Sequence, residues 1–306
     1  MWRAGACTIA PGTGDAYDPA SMERVIVLGS GFVGEAVRAR QPDEPDLEVL
    51  AMGTRDLRSR DTAATEQLRE AIVGGGVRAV VNTAGLLRGT DDELHDANVA
   101  WPAWLADEVL PGTGARLVHL GSAAEYGDPG SSTPVPETAP VHPVGPYGTT
   151  KWAGSRAVLA ARDDGLDAVV ARGFNLVGPQ VAEVSPLHQF ASDVAALPDT
   201  GGEVEVWWPA TVRDFILTDD LAAGLARLAL VPDVPDLVNL CAGVAIRFDE
   251  IVTAMANERG IEVTVRSLDR PGIPAVVGDP SRLRQVTGVV PEMSPGLIAR
   301  TITVDT

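Results

Sequence analysis

The chain has 306 residues, 45% of them hydrophobic, and a formal net charge of −18 at pH 7. That length suits one large domain or two closely joined lobes with a sizeable core. So acidic a balance argues against general nucleic-acid or anionic-membrane binding, which needs basic patches. Cys7 and Cys241 lie too far apart for a metal-binding spacing or a disulfide framework, and His95, His119, His142 and His188 share no ligand pattern, so no metal is expected. No apolar run reaches the ~18 residues needed to cross a membrane. Met1-Trp2-Arg3 is not followed by the apolar core of a secretory signal, and a soluble cytoplasmic protein is the expectation.

Residues 1–22 are rich in Gly, Ala, Pro, Asp and Thr without periodicity, which reads as a flexible leader. Arg24–Leu28 is a short apolar strand. It runs into Gly29-Ser30-Gly31-Phe32-Val33-Gly34 and a helical stretch from Glu35 to Arg40. Strand, glycine turn and helix in that order form a dinucleotide-binding fingerprint, with phosphate facing the free N–H groups of the helix start. Leu47–Met52 is the second strand. An NAD site usually carries an acid about 20 residues beyond the glycines, for the ribose hydroxyls. Here Thr54 and Arg55 precede Asp56 and Leu57, which favours NADP over NAD.

The alternation continues. Thr65–Val73 reads as an amphipathic helix closed by three glycines, and Val77–Asn82 as a strand entering the small-residue loop Thr83-Ala84-Gly85. Asp91–Leu110 is a helix interrupted near Pro102 and carrying Asn98, and Leu117–Ser122 is a strand ending on a serine. Successive βα units imply a doubly wound parallel sheet of the Rossmann type, with ligands beyond the strand C-termini. A Pro/Ser/Thr-rich loop over 129–146 leads to a helix beginning at Tyr147.

That helix carries the most distinctive pair in the chain. Lys151 is the sole lysine among 24 basic residues, and Tyr147, one of three tyrosines, precedes it by one helical turn. Positions i and i+4 share a helix face. An ammonium beside a phenol favours the phenolate and lowers its pKa, so the two form a candidate proton-transfer pair.

The tokens VIVLGSGFVG (25–34), NTAG (82–85), Asn98, LGSAAEYG (120–127), PYGTTK (146–151), RGFNLVGP (172–179), RDFILTDD (213–220) and GDPSRLRQVTG (278–288) resemble the extended short-chain dehydrogenase/reductases that act on nucleotide sugars. The resemblance implies that Tyr147 is the general acid/base, that Lys151 tunes it and binds the nicotinamide ribose, and that Ser122 hydrogen-bonds the reacting carbonyl. Asn98 would support a link to Lys151. Asn175, Arg213 and Arg270 would approach the substrate diphosphate; an ion pair of Arg213 with Asp214 or Asp219 is the structural alternative. The family's first fingerprint glycine is replaced by Leu28. Ala123 and Ala124 stand where the sugar 4,6-dehydratases carry a proton-transferring pair, which disfavours dehydration. Trp207 and Trp208 replace a glycine-rich hairpin.

The expected organisation is a cofactor domain over 23–174 plus 211–242 and a smaller α/β substrate lobe over 175–210 plus 243–306. The resemblance implies a homodimer through the helices around 92–108 and 147–162. The leading reading is an NADP-dependent ketoreductase of a nucleotide-linked 4-keto-6-deoxy sugar, most similar to the GDP-4-keto-6-deoxymannose reductases. A 4-epimerase retaining NAD and a non-catalytic NAD(P)-binding sensor or scaffold are the alternatives.

Overall fold

The computed structural model describes residues 23–40, 47–52, 57–179, 185–208, 210–268 and 272–302. The leader, Thr54, Arg55, Asp56 and Arg270 lie outside these residues.

The first half alternates as expected. Strand β1 (Glu23–Leu28) leads to α1 (Phe32–Ala39), β2 (Leu47–Met52), α2 (Thr62–Gly74) and β3 (Val77–Asn82). Helix α2 starts three residues earlier than the apolar pattern indicates, because the Asp61 side chain caps it by accepting from Ala64 N–H at 2.9 Å. The next helical stretch runs through α3 (Asp91–His95), a π-turn (Asp96–Ala100), α4 (Trp101–Trp104) and a second π-turn (Leu105–Val109). Proline has no N–H, so Pro102 cannot donate to the carbonyl of Asn98 four residues back, and the wider turn falls there. Strand β4 (Arg116–Ser122) then enters a single 3-10 turn (Ala123–Glu125), followed by α5 (Gly145–Asp163) and β5 (Ala168–Gly173). Pro146 sits in the first turn of α5, where its missing N–H costs nothing, so the helix begins just ahead of Tyr147.

Beyond Gly173 the chain forms β6 (Asn175–Val177), α6 (Pro186–Ala195), β7 (Gly202–Trp207), β8 (Val212–Arg213) and β9 (Phe215–Leu217). It returns through α7 (Thr218–Leu230) and β10 (Leu237–Leu240). It closes with β11 (Ile246–Arg247), α8 (Phe248–Glu258), β12 (Val263–Leu268), β13 (Ala275–Val276), α9 (Ser281–Thr287) and α10 (Pro295–Thr301).

The main sheet has six parallel strands in the order β10-β5-β4-β3-β1-β2. Its faces are covered on one side by α1 and α7, around Val27, Val118, Val169 and Leu225, and on the other by α2, α4 and α5, around Ile26, Leu68, Trp104 and Val158. Full burial of each such side chain contributes about 1.5–3 kcal/mol. This is a Rossmann-type α/β fold. The remaining strands make small sheets, β11-β8-β13, β12-β7 and β6-β9, with a separate apolar cluster around Phe190, Val206, Phe248 and Ile251. Among the described residues no helix is long and apolar enough to cross a membrane, and no group of His, Cys, Asp or Glu is arranged to hold a metal.

Candidate active site

The glycine turn is built for close approach. Gly29 adopts φ +124°, and a Cβ there would stand 2.9 Å from Ala84 N and overlap the Thr83 hydroxyl. Leu28, in the place of a glycine, is instead a core residue, and its carbonyl accepts from Thr83 N–H at 2.8 Å and Thr83 Oγ1 at 3.0 Å. Gly29 therefore takes over the left-handed turn that a side chain would resist. At the N-terminus of α1 the N–H groups of Phe32, Val33 and Gly34 have no intrahelical partner; among the described residues no side chain caps the helix, and none lies within 4 Å of where a Gly31 Cβ would be. Ser30 is exposed and Phe32 lines the adjoining cavity. The side chains of Val33 and Leu57 are buried in the apolar layers.

The loop after β3 is held by a polar network. Asn82 Oδ1 accepts from Trp101 Nε1 at 3.1 Å and from Ala84 N–H at 3.2 Å, and Asn82 Nδ2 pairs with His119 Nδ1 at 3.0 Å. Among the described residues the buried Nε2 of His119 has no partner. Burial and the neighbouring Lys151 hold its pKa well below the usual imidazole value.

Ser122, Tyr147 and Lys151 come together beyond the C-terminal end of β4. Lys151, almost fully buried, donates from Nζ to the Leu120 carbonyl at 2.6 Å. Burial lowers its pKa to about 8, and the charge of Glu125 opposes that fall. Burial raises the pKa of the Tyr147 phenol; hydrogen bonding to Ser122 pulls it down, and Glu125 pushes it further up. The ammonium of Lys151 is directed at the Leu120 carbonyl. Ser122 also acts as a cap, its Oγ accepting from Ala124 N–H at 3.2 Å.

Asn98 sits in the first π-turn. Its side chain clasps Leu86, accepting from N–H at 2.8 Å and donating to the carbonyl at 2.8 Å, and donates to Thr150 Oγ1 at 3.1 Å. Its side-chain link thus runs to the neighbour of Lys151. A Cβ on Gly85 would lie 3.1 Å from Asn98 Oδ1 and 3.6 Å from Lys151 Nζ, so Gly85 leaves both groups open toward the loop.

A cavity of about 560 Å³ opens beside Ser122 and Tyr147, lined also by Phe32, Arg88, Asn175 and Arg213, with Ala123 and Ala124 on its wall. Asn175 donates from Nδ2 to the Asp214 carbonyl at 2.7 Å, and Arg213 donates from Nη2 to the Ile273 carbonyl at 2.9 Å. Among the described residues Arg213 makes no ion pair with Asp214 or Asp219. The Asp214 carboxylate is occupied elsewhere, accepting from Ala242 N–H at 3.1 Å, Gly243 N–H at 2.9 Å and Gly278 N–H at 3.0 Å. Sequence reasoning missed Arg88, which carries no motif, and the buried pair Glu125–Arg172 at 2.7 Å. The latter had a signal: a base, Arg172, inside the apolar strand β5, and an acid, Glu125, in the turn just past the apolar strand β4.

Residues 25–241 match the model of the NAD dependent epimerase/dehydratase family. The chain belongs to that family. It is an NAD(P)-dependent enzyme of the extended short-chain dehydrogenase/reductase type. A dTDP-6-deoxy-L-talose 4-dehydrogenase (NAD(P)(+)) from Kitasatospora kifunensis is 32% identical over 268 residues, 81% of this chain and 83% of that protein. A UDP-glucose 4-epimerase from Azospirillum brasilense is 27% identical, over 89% of this chain and 88% of the epimerase. Among solved structures, RMD from Pseudomonas aeruginosa complexed with NADPH aligns with a TM-score of 0.77 at 23% identity, over 92% of this chain and 96% of that one. That likeness is one of fold. The residues of this epimerase/dehydratase-family chain fit a dinucleotide: the uncapped start of α1 and the open space at Gly31 suit a pyrophosphate, and Gly85 leaves room beside Lys151.

Proposed function

We propose that the enzyme reduces the keto group of a nucleotide-linked 4-keto-6-deoxy sugar at the expense of NADPH. The observation that carries this reading is the meeting of Ser122 and Tyr147 on one cavity wall beside Ala123 and Ala124, with Lys151 one helical turn along α5 and bonded to β4 at the Leu120 carbonyl. Two alanines cannot move a proton, so Tyr147 and its immediate neighbours are left with the acid/base work. The similarity to a dTDP-sugar 4-dehydrogenase supports the same substrate class.

In this reading the nicotinamide, when bound, supplies the hydride. The chain supplies the proton and the geometry. Ser122 and Tyr147 hydrogen-bond the sugar carbonyl oxygen from one side, which polarises it. The upward shift of the Tyr147 phenol keeps it protonated near neutrality, which suits a proton donor in the direction of reduction. Lys151, one turn along the same helix, is the cation that favours the phenolate as the proton leaves. Asn175 and Arg213 face the same cavity and hold the diphosphate, where a guanidinium fork matches phosphate oxygens. Arg55 in the sequence supports NADP by pairing with the 2′-phosphate, with NAD as the alternative cofactor. The cofactor domain, the substrate lobe and a homodimer through α5 and the helices before β4 complete the proposal.

The second reading is a 4-epimerase that retains NAD, supported by similarity to UDP-glucose 4-epimerases. Label transfer separates the two. With NADPH carrying deuterium at C4, a reductase places deuterium on the sugar carbon and releases NADP. A sugar product inverted at C4 but free of label would overturn the reductase assignment. Tyr147→Phe should abolish label transfer while leaving NADPH binding within about threefold, since the phenol acts on the proton and not on the phosphates.

A further inference from the structure

Glu125 has no exposed surface, and its carboxylate is fully engaged. Oε1 accepts from Ser122 N–H at 2.8 Å and from Ser155 Oγ at 2.8 Å, and Oε2 accepts from Arg172 Nε at 2.7 Å. The three donors come from three elements: the end of β4, the face of α5 one turn beyond Lys151, and β5. Gly121 provides the room, for a Cβ there would lie 2.7 Å from Glu125 Oε1 and 3.1 Å from Ser155 Oγ. Arg172 is enclosed in turn, its guanidinium carbon 4.4 Å from the centre of the Tyr126 ring and 5.4 Å from that of Trp152. Glu125, Ser155 and Arg172 do not line the cavity; they stand behind its catalytic wall.

A buried ion pair is a poor way to gain stability, because apolar residues of similar volume usually serve as well. The position of this one matters more. Lys151 is buried among Tyr147 on its own helix, His119 on β4, and the neutral groups of Asn98 and Gly85. Among the described residues Glu125 is the acid whose charge bears on it, while Arg172 lies on the far side of that carboxylate.

We infer that Glu125 is a positioning residue of the site: bonded at once to Ser122 N–H, to Ser155 one turn beyond Lys151 on α5 and to Arg172 on β5, its carboxylate fixes the serine against the helix that carries Tyr147 and sets a negative charge on the side of that helix where Lys151 is buried. The inference rests on the reading of Tyr147, Lys151 and Ser122 as the proton-transfer set. Burial draws Lys151 down to about 8 with the charge of Glu125 opposing the fall, so removal of that charge lowers the lysine further.

The single lysine makes the test direct, because lysine labelled with 13C at Cε gives one side-chain signal in the full chain. In the wild type its titration midpoint should lie near the value of about 8. In Glu125→Gln the midpoint should fall by about one pH unit or more; an unchanged midpoint overturns the inference. The Gln variant strands Arg172, so where it does not fold, Glu125→Gln with Arg172→Met removes both charges and is read the same way: a lowered midpoint supports the inference, a wild-type midpoint overturns it. Glu125→Asp keeps the charge and should titrate close to wild type, and a midpoint as low as that of the Gln variant would overturn the assignment to charge. The signal reports the lysine without turnover, so an incorrect choice of substrate or reaction would leave this titration intact.

Discussion

The ammonium of Lys151 is bound to the carbonyl of Leu120 at 2.6 Å, two residues ahead of Ser122. One bond therefore ties the helix of Tyr147 to the strand of Ser122, and it needs a compact donor at that depth. Arginine brings a planar fork that cannot turn into the same space. Lys151→Arg is expected to lower kcat by about 100-fold or more, the scale of a lost acid–base contribution, with KM for NADPH rising less. Steady-state kinetics with circular dichroism to confirm folding checks this. The ammonium is lost as pH rises through about 8, so reduction should slow on that limb of the pH profile.

Asp214 offers a stability prediction. Its carboxylate accepts three backbone N–H groups from the turns after β10 and β13, yet burial raises its pKa to about 6, against an ordinary 3.8. A carboxyl raised in the folded state binds more protons than the unfolded chain between those values, so its contribution is complete below about 3.8 and is lost as pH rises through about 6. Asp214→Asn turns an amide donor toward existing donors and should cost about 1–3 kcal/mol. Urea unfolding should show a larger loss for this variant at pH 4.5 than at pH 7; an equal loss at both would contradict the titration.

Two glycines in helices should respond in opposite directions. A Cβ on Gly154 would overlap the carbonyl of Asn98 and lie 2.9 Å from Pro102 Cγ, where α5 crosses the π-turn. Gly154→Ala should destabilise by about 1–3 kcal/mol as an overpacked core. Gly74 ends α2 with nothing within 4 Å of its Cβ position, and Gly74→Ala should stabilise by about 0.5–1 kcal/mol. Thermal denaturation of both variants decides.

Arg213 lines the cavity, its Nη1 donating to the Val212 carbonyl and its Nη2 to the Ile273 carbonyl, both at 2.9 Å. If it holds the substrate diphosphate, Arg213→Ala should raise KM for the nucleotide sugar by about 10- to 100-fold, the scale of one charge-assisted contact, with kcat nearly unchanged. A loss confined to kcat would move Arg213 from binding to chemistry.

The sheet, the glycine turn and the Tyr147–Lys151 pair were legible because each is written in a local period: alternating apolar runs, a strand–glycine–helix order, a spacing of four. The end of α2 nearest Asp61 was missed because a cap lies outside the apolar pattern. Glu125 and Arg172 are 47 positions apart, and only parallel pairing of β4 with β5 brings Gly121 opposite Arg172. An acid beside Arg213 was the structural alternative to a role at the diphosphate, but Arg213 is held by two backbone carbonyls, that of Val212 and that of Ile273 60 positions away. Contacts of that kind follow from topology, which the order of elements implies but no single stretch encodes.

The central claim is net reduction, and it is tested most directly by incubating the purified protein with NADPH and a nucleotide-linked 4-keto-6-deoxy sugar while following absorbance at the reduced nicotinamide band. The account predicts steady oxidation of NADPH, one equivalent for each sugar reduced, abolished in Tyr147→Phe. Tightly retained NAD in the purified protein, with no net oxidation of added NADPH and inversion of a nucleotide sugar at C4, would contradict it.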